Sequence, residues 1–223
     1  MSFTDAEVDR YARQLVLREI GGAGQQALKA AGVLIVGAGG LGAPAALYLT
    51  AAGVGRIGIV DHDDVALSNL HRQVIYRTAD VGRQKVIATA ERLLQLNDGV
   101  KVEPLRLAVS ADNAAELVRA YDLVLDGTDD FATRLAVSDA CVTEGKALVS
   151  GALGRWSGQV GVFPGRPCYR CFVGEVPPDA ETCAAVGVVG ALAGVIGSMM
   201  ALEAVKLIAG AGEPLSGRLL IYD

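Results

Sequence analysis

The residues best equipped for chemistry begin at a glycine-rich turn. Gly37-Ala38-Gly39-Gly40-Leu41-Gly42 places glycines 37, 39 and 42 at the G-x-G-x-x-G spacing. The β-branched run Val33 to Val36 precedes it, and a small-residue segment with Pro44 near its start follows. That context predicts a strand, a tight turn and a helix. The first glycine permits the turn, the second lets backbone approach a phosphate, and the helix start offers free N–H groups to an anion. Asp61 closes the next β-branched run, where a carboxylate can accept both hydroxyls of a ribose. A nucleotide site is the expectation; a glycine turn kept only for packing is the plainer alternative. The fingerprint alone does not separate NAD from other adenine nucleotides.

Further groups sharpen that reading. Ser68-Asn69-Leu70-His71-Arg72-Gln73 puts a guanidinium and two amides in one segment, and Lys85 stands near the start of a helix. Arg10-Tyr11-Ala12-Arg13-Gln14 adds cations near the N-terminus. A dinucleotide pyrophosphate is largely served by the glycine turn, whereas several separate cations suit a triphosphate whose pyrophosphate must leave. Each cation alone reads as ordinary surface charge; together they favour ATP. Asp126-Gly127-Thr128-Asp129-Asp130 follows another strand, and ligands of open parallel sheets sit beyond the strands' carboxyl ends. A carboxylate there can hold magnesium, or Thr128, Asp129 or Asp130 can cap the next helix. Cys168-Tyr169-Arg170-Cys171 has the spacing of half a four-thiolate zinc site, or is a loose thiol pair.

The elements that must position these groups alternate. Thr4 and Glu7 form a capping-box pattern that predicts a helix to about Ile20, and a short helix follows over Gln25 to Ala30. Strands are expected at Val33–Val36, Arg56–Val60, Val100–Leu105, Leu123–Leu125 and Ala147–Ser150. Helices are expected between them at Ala43–Ala52, Val81–Leu96, Asn113–Ala120 and Phe131–Glu144. This alternation predicts an α/β fold with a Rossmann-like, doubly wound parallel sheet. After Gly151, Gln159–Phe163 and Arg218–Tyr222 read as strands that extend the sheet antiparallel. The expected organisation is one domain over 1–223: N-terminal helices to 31, a nucleotide-binding core over 32–151, then a sheet extension with the cysteine loop and a buried helix. The stretch Asp61 to Asp80 has no clear period and is long for a connection, which marks it as functional.

Composition narrows the class. Of 223 residues, 52% are hydrophobic and 20% charged, which excludes a disordered chain. Twenty basic against 25 acidic residues give a net charge of −5 with no basic stripe, so a nucleic-acid partner is not expected. Four cysteines (141, 168, 171, 183) form no dense disulfide framework, and no signal-peptide pattern precedes them; a reducing cytoplasm is the expected compartment. Residues 184–202 carry no charge. Isolated and without a basic flank, they predict a buried helix rather than a membrane span.

R-x-x-R-Q, G-x-G-G-x-G, the strand-end Asp, N-L-x-R-Q, a helix Lys and T-D-D, in that order, resemble the ThiF/MoeB/HesA adenylyltransferases, bacterial relatives of ubiquitin-activating enzymes. The resemblance runs over essentially the whole chain, including C-x-x-C and a late G-V-I-G-S helix. It implies a ubiquitin-activating-enzyme-like fold and adenylation of the C-terminal Gly-Gly of a ubiquitin-like sulfur carrier, yielding an acyl-adenylate and pyrophosphate. It places Gly37, Gly39, Gly40 and Gly42 in the nucleotide turn and Asp61 on the ribose. Asn69, Arg72, Gln73 and Lys85 fall in the phosphate site, and Asp129 on magnesium. It also implies a homodimer in which Arg13 reaches the neighbouring subunit's site, and a covalent link to the carrier at Cys183 in some members. Molybdopterin, thiamine and other sulfur routes all use such enzymes; with no rhodanese-like segment in this sequence, the sulfur donor is expected to be a separate protein. The chain departs from the family at T-D-D, where T-D-N is usual, leaving the role of Asp130 open. No second C-x-x-C accompanies Cys168 and Cys171, which leaves zinc open. The rival readings are an NAD-dependent oxidoreductase, which gives N-L-x-R-Q and Lys85 no role, and a non-catalytic nucleotide-binding scaffold.

Overall fold

Continuous β-branched runs need cover on both faces, and the computed structural model, which describes residues 3–174 and 187–223, supplies it. Strands β1 (Gly32–Val36), β2 (Arg56–Val60), β3 (Lys101–Leu105), β4 (Leu123–Asp126), β5 (Ala147–Leu153), β6 (Gly158–Phe163) and β7 (Leu219–Tyr222) make one sheet in the order β3-β2-β1-β4-β5-β6-β7. The five on the β3 side, from β3 to β5, pair parallel, and β6 and β7 add antiparallel. The α/β, doubly wound architecture with an antiparallel extension is therefore as expected.

Alternate residues of β1 feed two cores. Val33 and Ile35 join Leu28, Leu49, Leu93, Ile196 and Met200 on one face. Leu34 and Val36 join Val118, Val137, Leu148 and Tyr169 on the other. The first face carries helices α3 (Gly21–Ala30), α4 (Gly42–Ala52), α5 (Lys85–Leu96) and α9 (Gly190–Ala209). The second carries α6 (Ala114–Arg119), α7 (Phe131–Glu144) and the short α8 (Tyr169–Val173).

The N-terminus departs from the expected single helix. It forms α1 (Asp5–Arg10) and α2 (Ala12–Leu15), broken at Tyr11. The break follows from a tertiary bond: the buried Tyr11 hydroxyl accepts from Asn97 Nδ2 at 2.9 Å, which also donates to the Thr50 carbonyl. The Tyr11 ring lies against Gly53, where φ is +83° and any side chain would collide with it. Gln14 Nε2 adds bonds to Gln25 Oε1 and the Ala52 carbonyl. A second difference is that α5 begins at Lys85 rather than near Val81. Residues 81–84 instead turn through Gly82 (φ +86°) and bridge back to the long segment, with Val65 N–H donating to the Arg83 carbonyl and Gly82 N–H to Val65. Third, β5 runs on to Leu153 because β6 pairs with it from Leu148 to Leu153.

Helix α9 has the length and mean hydropathy (1.7) of a membrane-crossing helix. It lies on the sheet, with Leu192, Ile196 and Met200 fully or nearly fully buried. Gly197 packs on Leu41 and Pro44, and a side chain at Gly190 would collide with the His71 carbonyl. Its buried Glu203 accepts from Leu215 N–H at 2.8 Å and pairs with Lys206. A buried carboxylate satisfied in this way is compatible with a packed protein interior.

Candidate active site

The carboxyl ends of β1, β2 and β4 open onto a cleft of about 250 Å³. Its floor is the glycine turn. Gly37 has φ +93°, a conformation that side chains rarely adopt. A Cβ at Gly42 would collide with the Gly37 carbonyl, so that glycine serves the packing of turn against helix; Gly42 is not a lining residue of the cleft. Gly39 is different. A Cβ there would meet only Gln73 Nε2, at an ordinary 3.5 Å, so folding makes no steric demand for glycine at this position. Its bareness keeps backbone accessible on the cleft floor, as a phosphate requires. Gly40 lines the cleft too, and packs toward Ala193 of α9.

Asp61 is pinned at the end of β2. Its Oδ2 accepts from Ala38 N–H at 2.8 Å and its Oδ1 from Asp63 N–H at 2.9 Å. The turn is held from below by Tyr76, whose buried hydroxyl donates to the Ala38 carbonyl at 2.7 Å and lies 3.0 Å from Thr89 Oγ1. Burial pushes this phenol far above its ordinary pKa, with Asp61 and Asp63 adding to the shift against the Thr89 bond, so it stays a neutral donor. Sequence reading missed Tyr76; its only signal is an aromatic residue inside the long polar segment.

The cations converge on the same cleft. Lys85 is the first residue of α5 and its side chain is only 5% exposed. It donates to Asp63 Oδ2 at 2.7 Å and lies 3.9 Å from Asp61 Oδ2. Burial alone would raise the Asp63 carboxyl, but the Lys85 bond and charge outweigh it and hold the pKa below the usual range. Arg72 is held by the Ser68 carbonyl at 3.2 Å and Asn69 Oδ1 at 3.2 Å, and contacts His71 Nε2 at 2.9 Å. Asn69 and Gln73 line the cleft as well, and Gln73 Oε1 is buried with no hydrogen-bond partner among the described residues. A buried amide oxygen of this kind is an open acceptor in an otherwise satisfied interior.

Opposite stands the acidic loop after β4. Asp126, fully buried, accepts from Thr128 N–H (3.0 Å) and Thr128 Oγ (2.7 Å). Asp129 is exposed in the cleft and makes no side-chain hydrogen bond or ion pair among the described residues. An unengaged carboxylate lining the same cleft as Lys85 and Arg72 suits a magnesium ion that keeps most of its waters. Asp130 takes the structural role. It is the N-cap of α7, its Oδ2 accepting from Thr133 N–H at 2.8 Å, and that bond holds its pKa below the usual range. The cap is therefore complete above the ordinary carboxylate pKa and fades as pH falls through the lowered value. Asp130→Ala is expected to cost about 1 kcal/mol in urea unfolding at neutral pH, and Asp130→Asn about half of that or less. The Asn variant should also lose part of the acid-side slope.

Two of the expected groups, Arg13 and the cysteine pair, lie elsewhere. Arg13 is exposed on α2 and is not among the residues lining this cleft. Cys183 lies outside the described residues. Cys168 and Cys171 sit at the start of α8 with their sulfurs 3.2 Å apart. Burial opposes ionisation of Cys168, but the Cys171 thiol and nearby backbone N–H groups outweigh it and lower the pKa. Among the described residues no third His, Cys, Asp or Glu joins this pair, so these two thiols do not by themselves form a four-ligand zinc site. The cleft also includes groups that the sequence did not announce: the apolar loop Leu107–Val109, Leu153, Val188 and the buried Arg134. Only the fold brings these to the site, since none carries a local motif.

Known proteins resemble this chain to different depths. A sulfur carrier protein adenylyltransferase from Thermus thermophilus is 49% identical over 232 residues, covering 100% of this chain and 86% of the relative. The Bos taurus adenylyltransferase and sulfurtransferase MOCS3 is 51% identical over 222 residues, covering 97% of this chain. The chain spans about half the length of the MOCS3 relatives, 49% of the Bos taurus protein. Among solved structures, PaaA superposes with a TM-score of 0.82 at 26% identity over 99% of this chain and 71% of that one. E. coli MccB with ATP gives 0.81 at 24% identity over 93% and 66%, a likeness of fold alone. The ThiF family model matches residues 11–223, nearly the full length, and with relatives of about half-identical sequence on both sides of the comparison the chain belongs to the ThiF family.

Proposed function

We propose that this chain is an ATP- and magnesium-dependent adenylyltransferase acting on the C-terminal glycine of a ubiquitin-like sulfur carrier protein. The observation that carries the reading is one cleft lined together by an open glycine turn, the buried cation Lys85 and the unengaged carboxylate Asp129. The name of the Thermus thermophilus relative, a sulfur carrier protein adenylyltransferase, supports the carrier class. In this reading Gly37, Gly39 and Gly40 receive the phosphates and Asp61 the ribose. Asn69, Arg72, Gln73 and Lys85 neutralise the triphosphate. Asp129 would hold the magnesium ion, which supplies positive charge to the phosphate oxygens. The carrier carboxylate is already ionised at pH 7, so the site needs no general base. Its oxygen attacks the α-phosphorus, the α–β bridging P–O bond breaks, and pyrophosphate leaves with that electron pair. The residues' task is to bring two anions together and offset their repulsion.

We further infer a cytoplasmic homodimer with Arg13 completing the neighbouring site, a sulfur donor on another protein, and transfer chemistry separate from activation. Cys183 belongs to the transfer step, so Cys183→Ala is expected to keep full adenylation; loss of ATP–pyrophosphate exchange in that variant would refute the division of roles. The primary test is magnesium-dependent ATP–pyrophosphate exchange with candidate carriers ending in Gly-Gly. Carrier-dependent exchange supports the proposal. Tight ATP binding without exchange for any carrier would instead favour a non-catalytic scaffold, and nicotinamide binding without ATP binding an oxidoreductase.

A further inference from the structure

The acidic loop carries an exposed, unengaged Asp129, and something must fix its position. Arg134, on the first turns of α7, is 5% exposed. Its Nη2 donates to the carbonyls of Thr128 and of Gly151, the latter at 2.6 Å, and its Nη1 donates to Ser150 Oγ at 3.3 Å. Asp126 Oδ2, buried and without a hydrogen bond among the described residues, faces Nη1 at 3.9 Å. The guanidinium also lies 5.9 Å from the centroid of the buried Tyr169 ring. One planar fork therefore joins the end of β4, the Thr128 carbonyl next to Asp129, the middle of β5 and the cysteine segment. A lysine offers no such fork. A buried cation is costly unless it is paired and hydrogen-bonded. Packing alone would be met by an apolar side chain, so the network points to a need for fixed geometry.

We infer that Arg134 is a positioning residue for adenylation: it clamps the Thr128 carbonyl and thereby sets where Asp129 is presented, with Tyr169 bracing the clamp from the cysteine segment. The inference rests on the proposed activity for its catalytic consequence but not for its geometry. Tyr169 stands between Cys168 and Cys171, so the same brace gives the thiol-bearing segment a mechanical connection to the site. Arg170 anchors that segment separately, through a two-bond pair with Asp139 at 3.0 and 2.6 Å.

Two variants test the clamp in the full chain. Arg134→Lys keeps charge beside Asp126 but loses the fork; Tyr169→Leu keeps apolar volume but removes the ring. Hydrogen–deuterium exchange of the ligand-free protein should show faster exchange over 127–133, where the Thr128 and Thr133 amides report the loop, with the strands β1 and β2 unchanged. In pyrophosphate exchange, kcat is expected to fall roughly 10–100-fold for Arg134→Lys. The magnesium concentration at half-maximal rate should rise, with the KM for ATP little changed. A merely structural role would lower the rate through the folded fraction and leave that magnesium midpoint in place. Unchanged protection over 127–133, or protection lost evenly throughout the chain, overturns the inference. If Arg134→Lys fails to fold, Tyr169→Leu decides by the same criteria. If the wild type shows no exchange with any carrier, the proposed activity fails, and the hydrogen-exchange comparison still decides whether the clamp exists.

Discussion

Asp129→Ala is expected to lower the rate of ATP–pyrophosphate exchange by about 10³-fold while leaving the fold intact, the scale seen when one preorganised charge is removed from a transition state. The two halves of that expectation have separate grounds. Stability should hold because the Asp129 carboxylate is exposed and makes no hydrogen bond or ion pair among the described residues, and the helix that follows is capped by Asp130 instead. Exposed positions away from caps and cores usually change stability by less than about 0.5 kcal/mol. Activity should collapse because, in the proposed reading, Asp129 is the carboxylate in the cleft left over to meet a hydrated magnesium ion. Steady-state exchange over a magnesium titration, set beside a thermal melt, checks both halves. Near-wild-type exchange would remove Asp129 from the proposed machinery, and a lowered melting temperature would show that it does structural work as well.

The second large effect concerns Lys85. Lys85→Met is expected to reduce kcat/KM for ATP by roughly 10²–10³-fold while lowering the melting temperature only slightly at neutral pH. A cation at the first position of a helix opposes the helix dipole, and this one is also buried, with 5% of its side chain exposed. Two carboxylates, Asp63 at 2.7 Å and Asp61 at 3.9 Å, are needed to hold it there. Local stability gives little reason for such an arrangement, whereas an incoming triphosphate gives a strong one. Methionine matches the stem and leaves Asp63 half exposed, so water can take over the freed carboxylate. The Lys85 pairing depresses the Asp63 pKa, so its contribution to stability is present above the ordinary carboxylate pKa and is lost as pH falls through the lowered one. The variant should therefore show a flatter stability profile on the acid side, together with weak ATP binding by calorimetry. Retained ATP affinity would show that the ammonium is structural.

Much of this site could be read from local chemistry. The glycine turn and the carboxylate at the end of β2 were legible because a strand–turn–helix junction constrains residue type within a few positions. The acidic loop was legible as a location, but its division of labour was not: Thr128, Asp129 and Asp130 were equally good caps until Asp130 was seen to accept from Thr133 N–H. Arg134 carries no signal in the local sequence, since nothing in its neighbours reveals that Thr128, Ser150 and Gly151 surround it. Element ends failed for the same reason. The capping box at Thr4 and Glu7 formed as its residues require, yet the helix it starts stops at Arg10 because Tyr11 is claimed by Asn97, 86 residues away. Helix α5 starts late because residues 81–84 pair with the segment around Val65.

The sequence by itself determined the alternation of strands and helices, the two-sided burial of the central strands and the position of the nucleotide turn. These depend on periodicity and on backbone freedom within a few residues. Only the tertiary structure decided which groups share a cleft, that Gly42 serves packing while Gly39 leaves the floor open, and that Tyr76 holds the glycine turn and Arg134 the acidic loop. The Tyr76–Ala38 and Arg134–Ser150 bonds join residues 38 and 16 positions apart, which no local pattern encodes. The apolar α9 is a clear instance: its segment was expected to be a buried helix, but only the structure lays it on the glycine turn and Pro44.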